Sequence, residues 1–238
     1  MKTMNRLIPV AAALAAMLGA PRDAQAQYSD LRITEAMSSS GTGGTVDWFE
    51  VTNYGLTLAS LSGWTVDDSS FSFANSAVLG GVTSLAAGES AIFLESAAGA
   101  DIASFRAFWG GIDGVQIGYY SGSGLGLSGS GDGLVLFDSA GTEQTPRVTF
   151  GAATTGSSFF YVYDAEGNPS ASPNSDAVVS TVGLLNGQAT YASANALGNV
   201  GSPGTATNAV PEPSTMALLG LGAAWMLGRA RVKRPPAR

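Results

Sequence analysis

An all-β fold, a β-sandwich carrying one short helix, is predicted by three features of the sequence. Short segments alternate apolar and polar residues with the period of two that half-buries a strand. Clusters of small and polar residues, "DDSS", "AAGE", "GSGDG" and "DSAG", separate these segments and supply turns. Helical periodicity is confined to one stretch of the central body. Strands spaced in this way pack as two facing sheets.

The strands follow in order. In "LRITEAM" (31–37) Leu31 and Ile33 alternate with Arg32 and Thr34, and in "VDWFEVTN" (46–53) Phe49 and Val51 alternate with Glu50 and Thr52. Both predict strands with one face in the core and the other in water. "LSGWTV" (61–66), "SAIFLES" (90–96), "GLVLFD" (133–138), "PRVTFG" (146–151) and "SFFYVY" (158–163) continue the series. "ADIASFRAFWGG" (100–111) sets Ile102, Phe105 and Trp109 on one helical face between Asp101 and a Gly pair, which predicts a short helix capping the sandwich. Trp64 is expected to lie between the sheets, Gly63 to allow close strand contact, and Asn53 to turn the chain before Gly55. No repeat of fixed period runs through the chain.

Both ends read as addressing signals. The first 26 residues carry Lys2 and Arg6, then an apolar stretch from Leu7 to Ala20, then Ala24, Gln25 and Ala26 ahead of Gln27. That order predicts a secretory signal cleaved between Ala26 and Gln27, with Ala24 and Ala26 as the small residues of the site. At the other end the apolar run 216–228 would span about 20 Å as a helix, against about 30 Å of membrane hydrocarbon. It suits transient insertion better than permanent anchoring. Arg229, Arg231, Lys233 and Arg234 would hold its far end in the cytoplasm with the body outside. Ahead of it stand Val210, Pro211, Glu212, Pro213, Ser214 and Thr215, whose prolines keep the strip extended and open to a protease.

The order of Pro211-Glu212-Pro213, short apolar helix and arginine-rich tail resembles the PEP-CTERM sorting signal of Gram-negative bacteria that make extracellular polysaccharide. The resemblance implies recognition and cleavage by an exosortase, an integral membrane protease. It also implies export through the secretion machinery, passage through the inner membrane, and release to the cell surface or biofilm matrix. The expected organisation is a signal peptide at 1–26, a sandwich at 28–197 with its core at 31–151, a linker at 198–209 and the sorting signal at 210–238.

Between Tyr28 and Asn208 the only cations are Arg32, Arg106 and Arg147, whereas 16 of the chain's 18 acids lie there. Such a body repels nucleic acid and anionic lipid. The chain has no cysteine and no histidine, and its two lysines, Lys2 and Lys233, lie outside the body. Imidazole and thiolate nucleophile pairs, zinc sites of those ligands and Schiff-base lysines are thereby excluded, and disulfides with them. Only carboxylate chemistry remains. The expectation is a protein that is not an enzyme, with a carboxylate glycan hydrolase as the alternative.

In the body, "LRITEAM", "DWFEVTNYG", "LASLSGWTVDDSS", "LAAGESAIFLES", the Phe/Trp-rich helix, "GLSGSGDGLVLFDSAGTE" and "RVTFG" run in the order seen in lamin-tail domains. This stretch resembles that family from Leu31 to Gly151, with "GSPG" (201–204) as a closing motif, and Asp47 stands where many members carry Glu. The resemblance implies an immunoglobulin-like sandwich.

Two small-ligand sites are candidates. Asp67, Asp68 and Asp132 offer the hard oxygens that suit Ca²⁺, so a calcium-stabilised structural module is a further alternative; no other cofactor is expected. Tyr119 and Tyr120, beside the Gly/Ser loop of "GYYSGSG" (118–124), could lay a ring against extracellular polysaccharide.

Overall fold

The computed structural model describes residues 28–122, 125–164, 167–175, 177–183 and 193–204. The signal segment with Ala24, Ala26 and Gln27, the motif Val210 to Thr215 and the apolar run 216–228 lie outside the described residues. Among the described residues no helix is long and apolar enough to cross a membrane.

Two sheets face one another. The first runs β12(Ala177–Val179), β11(Phe159–Tyr161), β1(Leu31–Met37), β2(Trp48–Asn53), β7(Ser90–Glu95), β8(Gln116–Tyr120). Every neighbouring pair in it is antiparallel except β7 and β8. The second runs β10(Val148–Phe150), β9(Asp132–Phe137), β4(Thr65–Asp67), β5(Ala77–Val78). Two short pairs, β3(Ala59–Ser60) with β6(Ser84–Leu85) and β13(Ser193–Ala194) with β14(Val200–Gly201), complete the described strands. Leu31, Ile33, Phe49, Val51, Ala91 and Phe93 meet Val66, Leu134, Leu136, Val148 and Phe150 between the sheets.

The sandwich is stitched along both edges. Past β5 the chain crosses over, and Gly80 exchanges backbone hydrogen bonds of 2.8 and 2.9 Å with Tyr119 on β8. At the opposite edge Asn174 bonds through its backbone to Arg147 at 2.8 Å and Thr149 at 3.0 Å, beside β10. Bare sheet edges invite pairing with other chains, and these stitches remove part of that liability.

Strands β1 and β2 are buried along their whole length, so the expected water-facing side is covered. Helix α1(Ile102–Trp109) covers one part. It lies on the outer face of the first sheet, not over the end of the sandwich, because Met37, Trp48, Ile92, Leu94 and Ile117 make that patch apolar and receive Phe105. Trp48 is fully buried there, edge-on to Phe105 at 5.8 Å and Trp109 at 5.9 Å. Gly110, with φ 65°, a value that favours glycine, ends the helix while its N–H bonds back to Arg106.

Of three aromatic and turn assignments, two resolve differently. Trp64 packs against the core only in part, and Trp48 is the fully buried indole. Gly63 adopts φ 75° in the turn that bonds Trp64 N to Leu61 O, so backbone conformation selects it. Asn53 does turn the chain, accepting from Gly55 N at 2.8 Å, and it also donates to Thr57, Leu85 and Ala86 carbonyls.

The expected linker at 198–209 begins inside the fold. Val200–Gly201 is β14, and the residues after it bond to the first sheet. The folded body therefore reaches Gly204.

Gly118 tests the β8 stitch. A Cβ there would stand 2.5 Å from the Gly80 carbonyl and 2.6 Å from the Phe93 ring. Gly118→Ala should destabilise the body by about 1–3 kcal/mol, a melting temperature lower by about 3–10 °C. Gly114→Ala, with nothing within 4 Å, should leave it unchanged in the same thermal melt.

Candidate functional site

Two groups of carboxylates carry whatever chemistry the body has. The first was hidden in the polar side of β1 and β2. A bulge between Ile33 and Glu35 sets Glu35 opposite Glu50 in the strand register. The extra residue lets Thr34 and Glu35 both point outward. Thr34 Oγ1 donates to Glu50 Oε1 at 2.6 Å and lies 3.0 Å from Thr52 Oγ1, which is 2.8 Å from Ser90 Oγ.

The segment after β14 roofs this layer. Ser202 N and Oγ donate to Glu35 at 2.9 and 2.7 Å, Ser158 Oγ donates to Glu35 as well, and Gly204 N donates to Glu50 at 2.6 Å. Burial pushes the Glu35 carboxyl above the usual carboxylate range, while the Ser158 and Ser202 donors pull it back. Glu35 and Glu50 are 1% and 2% exposed. A substrate cannot reach them, so their role is to fasten the C-terminal segment to the sheet.

The second group lies at one end of the sandwich interior. On the first sheet, Glu95 N bonds to Asp47 O at 2.9 Å, one step beyond the Trp48–Leu94 pair, and Glu95 pairs with Tyr120 on β8. Asp47 and Glu95 stand two residues from Phe49 and Phe93, which face the core, and period two brings both acids to that inner face. Tyr120 lies in the same row, its ring 5.4 Å from Phe49. Like charges directly opposite on neighbouring strands repel. From the second sheet, Asp68 and Asp132 stand two residues from the core-facing Val66 and Leu134, on the side that faces the row.

Asp132 is saturated by Ser69 N at 3.1 Å, Gly133 N at 2.8 Å and Ser128 N at 2.7 Å. Asp47 has less help. Burial first, then Glu95, then Asp132 push its carboxyl up to about 7, against one hydrogen bond from the Leu127 backbone. The loop carrying Leu127 also lies on Glu95, since a Cβ on Gly126 would fall 3.2 Å from a Glu95 oxygen. The described arginines are engaged elsewhere: Arg32 with Ser29, Leu31 and Gly167 carbonyls, Arg106 with Ile112 and Val115 carbonyls, Arg147 with Glu143.

The residues singled out in the sequence divide accordingly. Asp67 is fully buried and serves the turn after β4, accepting from Ser70 Oγ at 2.7 Å and Ser72 N at 2.6 Å. Asp68 accepts from Ser70 N at 3.0 Å. With Asp132 they do not meet at a point, and among the described residues no three acidic side chains are placed to hold one metal ion. Tyr120 is 1% exposed, so it offers no face to a sugar; the packing of β8 against Phe49 takes it inside. Tyr119 is half-buried over Gly80, Gly81 and Gly99. Asp138 is a turn residue, accepting from Ala140 and Thr142 N–H at 2.9 Å. The pairing of Asp47 with Glu95 is not visible in the sequence, because only the strand register brings them together.

A family model of the Lamin Tail Domain matches residues 24–152. A model of the PEP-CTERM protein-sorting motif matches residues 209–234. No curated protein and no solved structure matches the chain.

The position of Asp47 has a consequence for pH. Its folded pKa, about 7, lies above the roughly 3.9 of an unfolded aspartate. The folded state therefore loses stability as pH rises from about 4 to about 7, and the loss is complete above that window. In chelator, Asp47→Asn should melt higher than the parent at pH 8 and together with it at pH 3.5; equal melting at pH 8 would show that the carboxylate is compensated.

Proposed function

Because the chain belongs to the lamin tail domain family and carries a PEP-CTERM sorting motif, we propose that it is a non-catalytic surface or matrix protein that associates with extracellular polysaccharide. The sorting motif marks it for exosortase processing and export to the cell surface. The carrying observation is that address, attached to an immunoglobulin-like sandwich whose facing carboxylates Glu35 and Glu50 are sealed from solvent. In this reading a signal peptide is removed after Ala26, the run 216–228 passes transiently through the inner membrane of a Gram-negative cell, and the sandwich extends at least to Gly204. A short tether then joins it to the processing site.

The body's chemistry supports a neutral or cation-bridged polymer as neighbour, since its excess of acids repels nucleic acid and anionic lipid. Tyr119, half-buried on three glycines, is the side chain of β8 with ring surface to offer a sugar. The hydrolase alternative turns on Asp47 and Glu95, the acids at the rim. Backbone from Gly126 and Leu127 lies directly on both, where a pyranose ring would have to sit, and this counts against it.

Two measurements test the proposal. Intact-mass analysis of the released protein should show that the residues following the Pro-Glu-Pro motif are gone; a released form still carrying Arg238 refutes processing. The full chain should be retained on a gel of the producing cell's own polysaccharide, several-fold less so for Tyr119→Leu, which keeps apolar cover on the glycines. Elution with the void volume refutes association.

A further inference from the structure

We propose that the acidic end of the sandwich is a calcium site, with Asp47 and Glu95 as its charged ligands and the Tyr120 hydroxyl at its floor. The inference stands apart from polysaccharide association and does not depend on it. Its first support is the convergence itself. Asp47, Glu95 and Tyr120 form one row on the inner face of the first sheet, and Asp68 and Asp132 look toward them from the second. No described arginine contacts them.

The second support is independent of the acids. Tyr120 Oη is buried and has no hydrogen-bond partner among the described residues, and a buried polar group left so is costly. Tyr120 is the register partner of Glu95 on β8, and its ring packs on Phe49, two residues from Asp47, which places the side chain in the acidic row, where Glu95, Asp47, Asp132 and Asp68 all act on it. A phenol among acids, bonded to none of them, is the arrangement that a bound ion and its water shell would complete. The hydroxyl can then donate to an ion-bound water.

The chemistry selects the ion. Carboxylates and backbone carbonyls are hard oxygen donors, and the chain has no imidazole or thiolate, which favours Ca²⁺ over a transition metal. Magnesium demands a near-ideal octahedron, whereas this end offers two acids and an irregular loop lying against them. With two charged ligands, and no third acid placed on the same point among the described residues, the affinity belongs with the weak extracellular class, Kd about 0.1–1 mM. Carbonyl oxygens of the 125–131 loop and water complete the shell. The loop that excludes a sugar ring thereby becomes a source of ligands.

The test uses the full chain at pH 7.5. In 5 mM CaCl₂ its melting temperature should rise about 3–6 °C over chelator, with a smaller rise in 5 mM MgCl₂ and none in NaCl of equal ionic strength. Terbium emission excited through the aromatic residues should appear and be displaced by calcium. The double variant Asp47→Asn/Glu95→Gln should melt at or above the parent in chelator, which shows that it folds, and should lose both the calcium shift and the displaceable terbium signal. Asp113→Asn, which removes one exposed charge, should keep both. No calcium shift in the parent, or an undiminished shift in the double variant, overturns the proposal.

Discussion

Carboxylates that must be satisfied without cations govern this fold. The body has three arginines and no lysine or histidine against 16 acids, so ion pairing cannot neutralise them. Hydroxyls and backbone N–H groups take over. Glu35 draws on Ser158 and Ser202, Glu50 on Thr34 and Gly204, Asp132 on three backbone donors and Asp138 on two together with Gln144. Such charge-assisted bonds are stronger than neutral ones, and they explain why Ser and Gly fill the loops around the acids. Where donors run out, at Asp47 and Glu95, repulsion remains.

The same donors decide where the domain ends. The lamin-tail match stops at residue 152, yet β11 and β12 extend the first sheet beyond β1, and Ser158, Ser202 and Gly204 bond the buried acids. Removing the segment after β14 would strip donors from two buried carboxylates, and an unpaired buried charge is far costlier than an unpaired neutral group. The C-terminal residues are therefore structural. Helix α1 does the equivalent work by apolar contact on the neighbouring patch, so one sheet carries two different roofs.

The interior of the fold was largely legible in the sequence, and its polar surfaces were not. Alternation of Leu31, Ile33, Phe49 and Val51 located β1 and β2, and the spacing of Ile102, Phe105 and Trp109 located α1. The polar partners Arg32, Thr34, Glu50 and Thr52 looked like a solvent face and are buried, because periodicity separates two faces but does not say what covers each. Strand β8 is absent from the strands that the pattern predicts, since Gly118 and the following Ser/Gly run mask an alternation that only β7 and Gly80 make regular. The pairing of Asp47 with Glu95 is a matter of register across many residues of chain, which local pattern does not encode.

Location and electrostatics fit together at the acidic end. A cation site of submillimolar to millimolar affinity is empty wherever free calcium is scarce, and there the Asp47–Glu95 repulsion stands uncompensated and lowers the stability of the sandwich. Outside the cell, where the sorting motif sends the body, the ion removes that penalty by mass action. Hydrogen bonds to Glu35 and Glu50 need no ion and hold in both places. With the proposed calcium site, the fold has a permanent fastening on the outer face of its first sheet and a conditional one at the end of its interior, and only the second responds to the compartment.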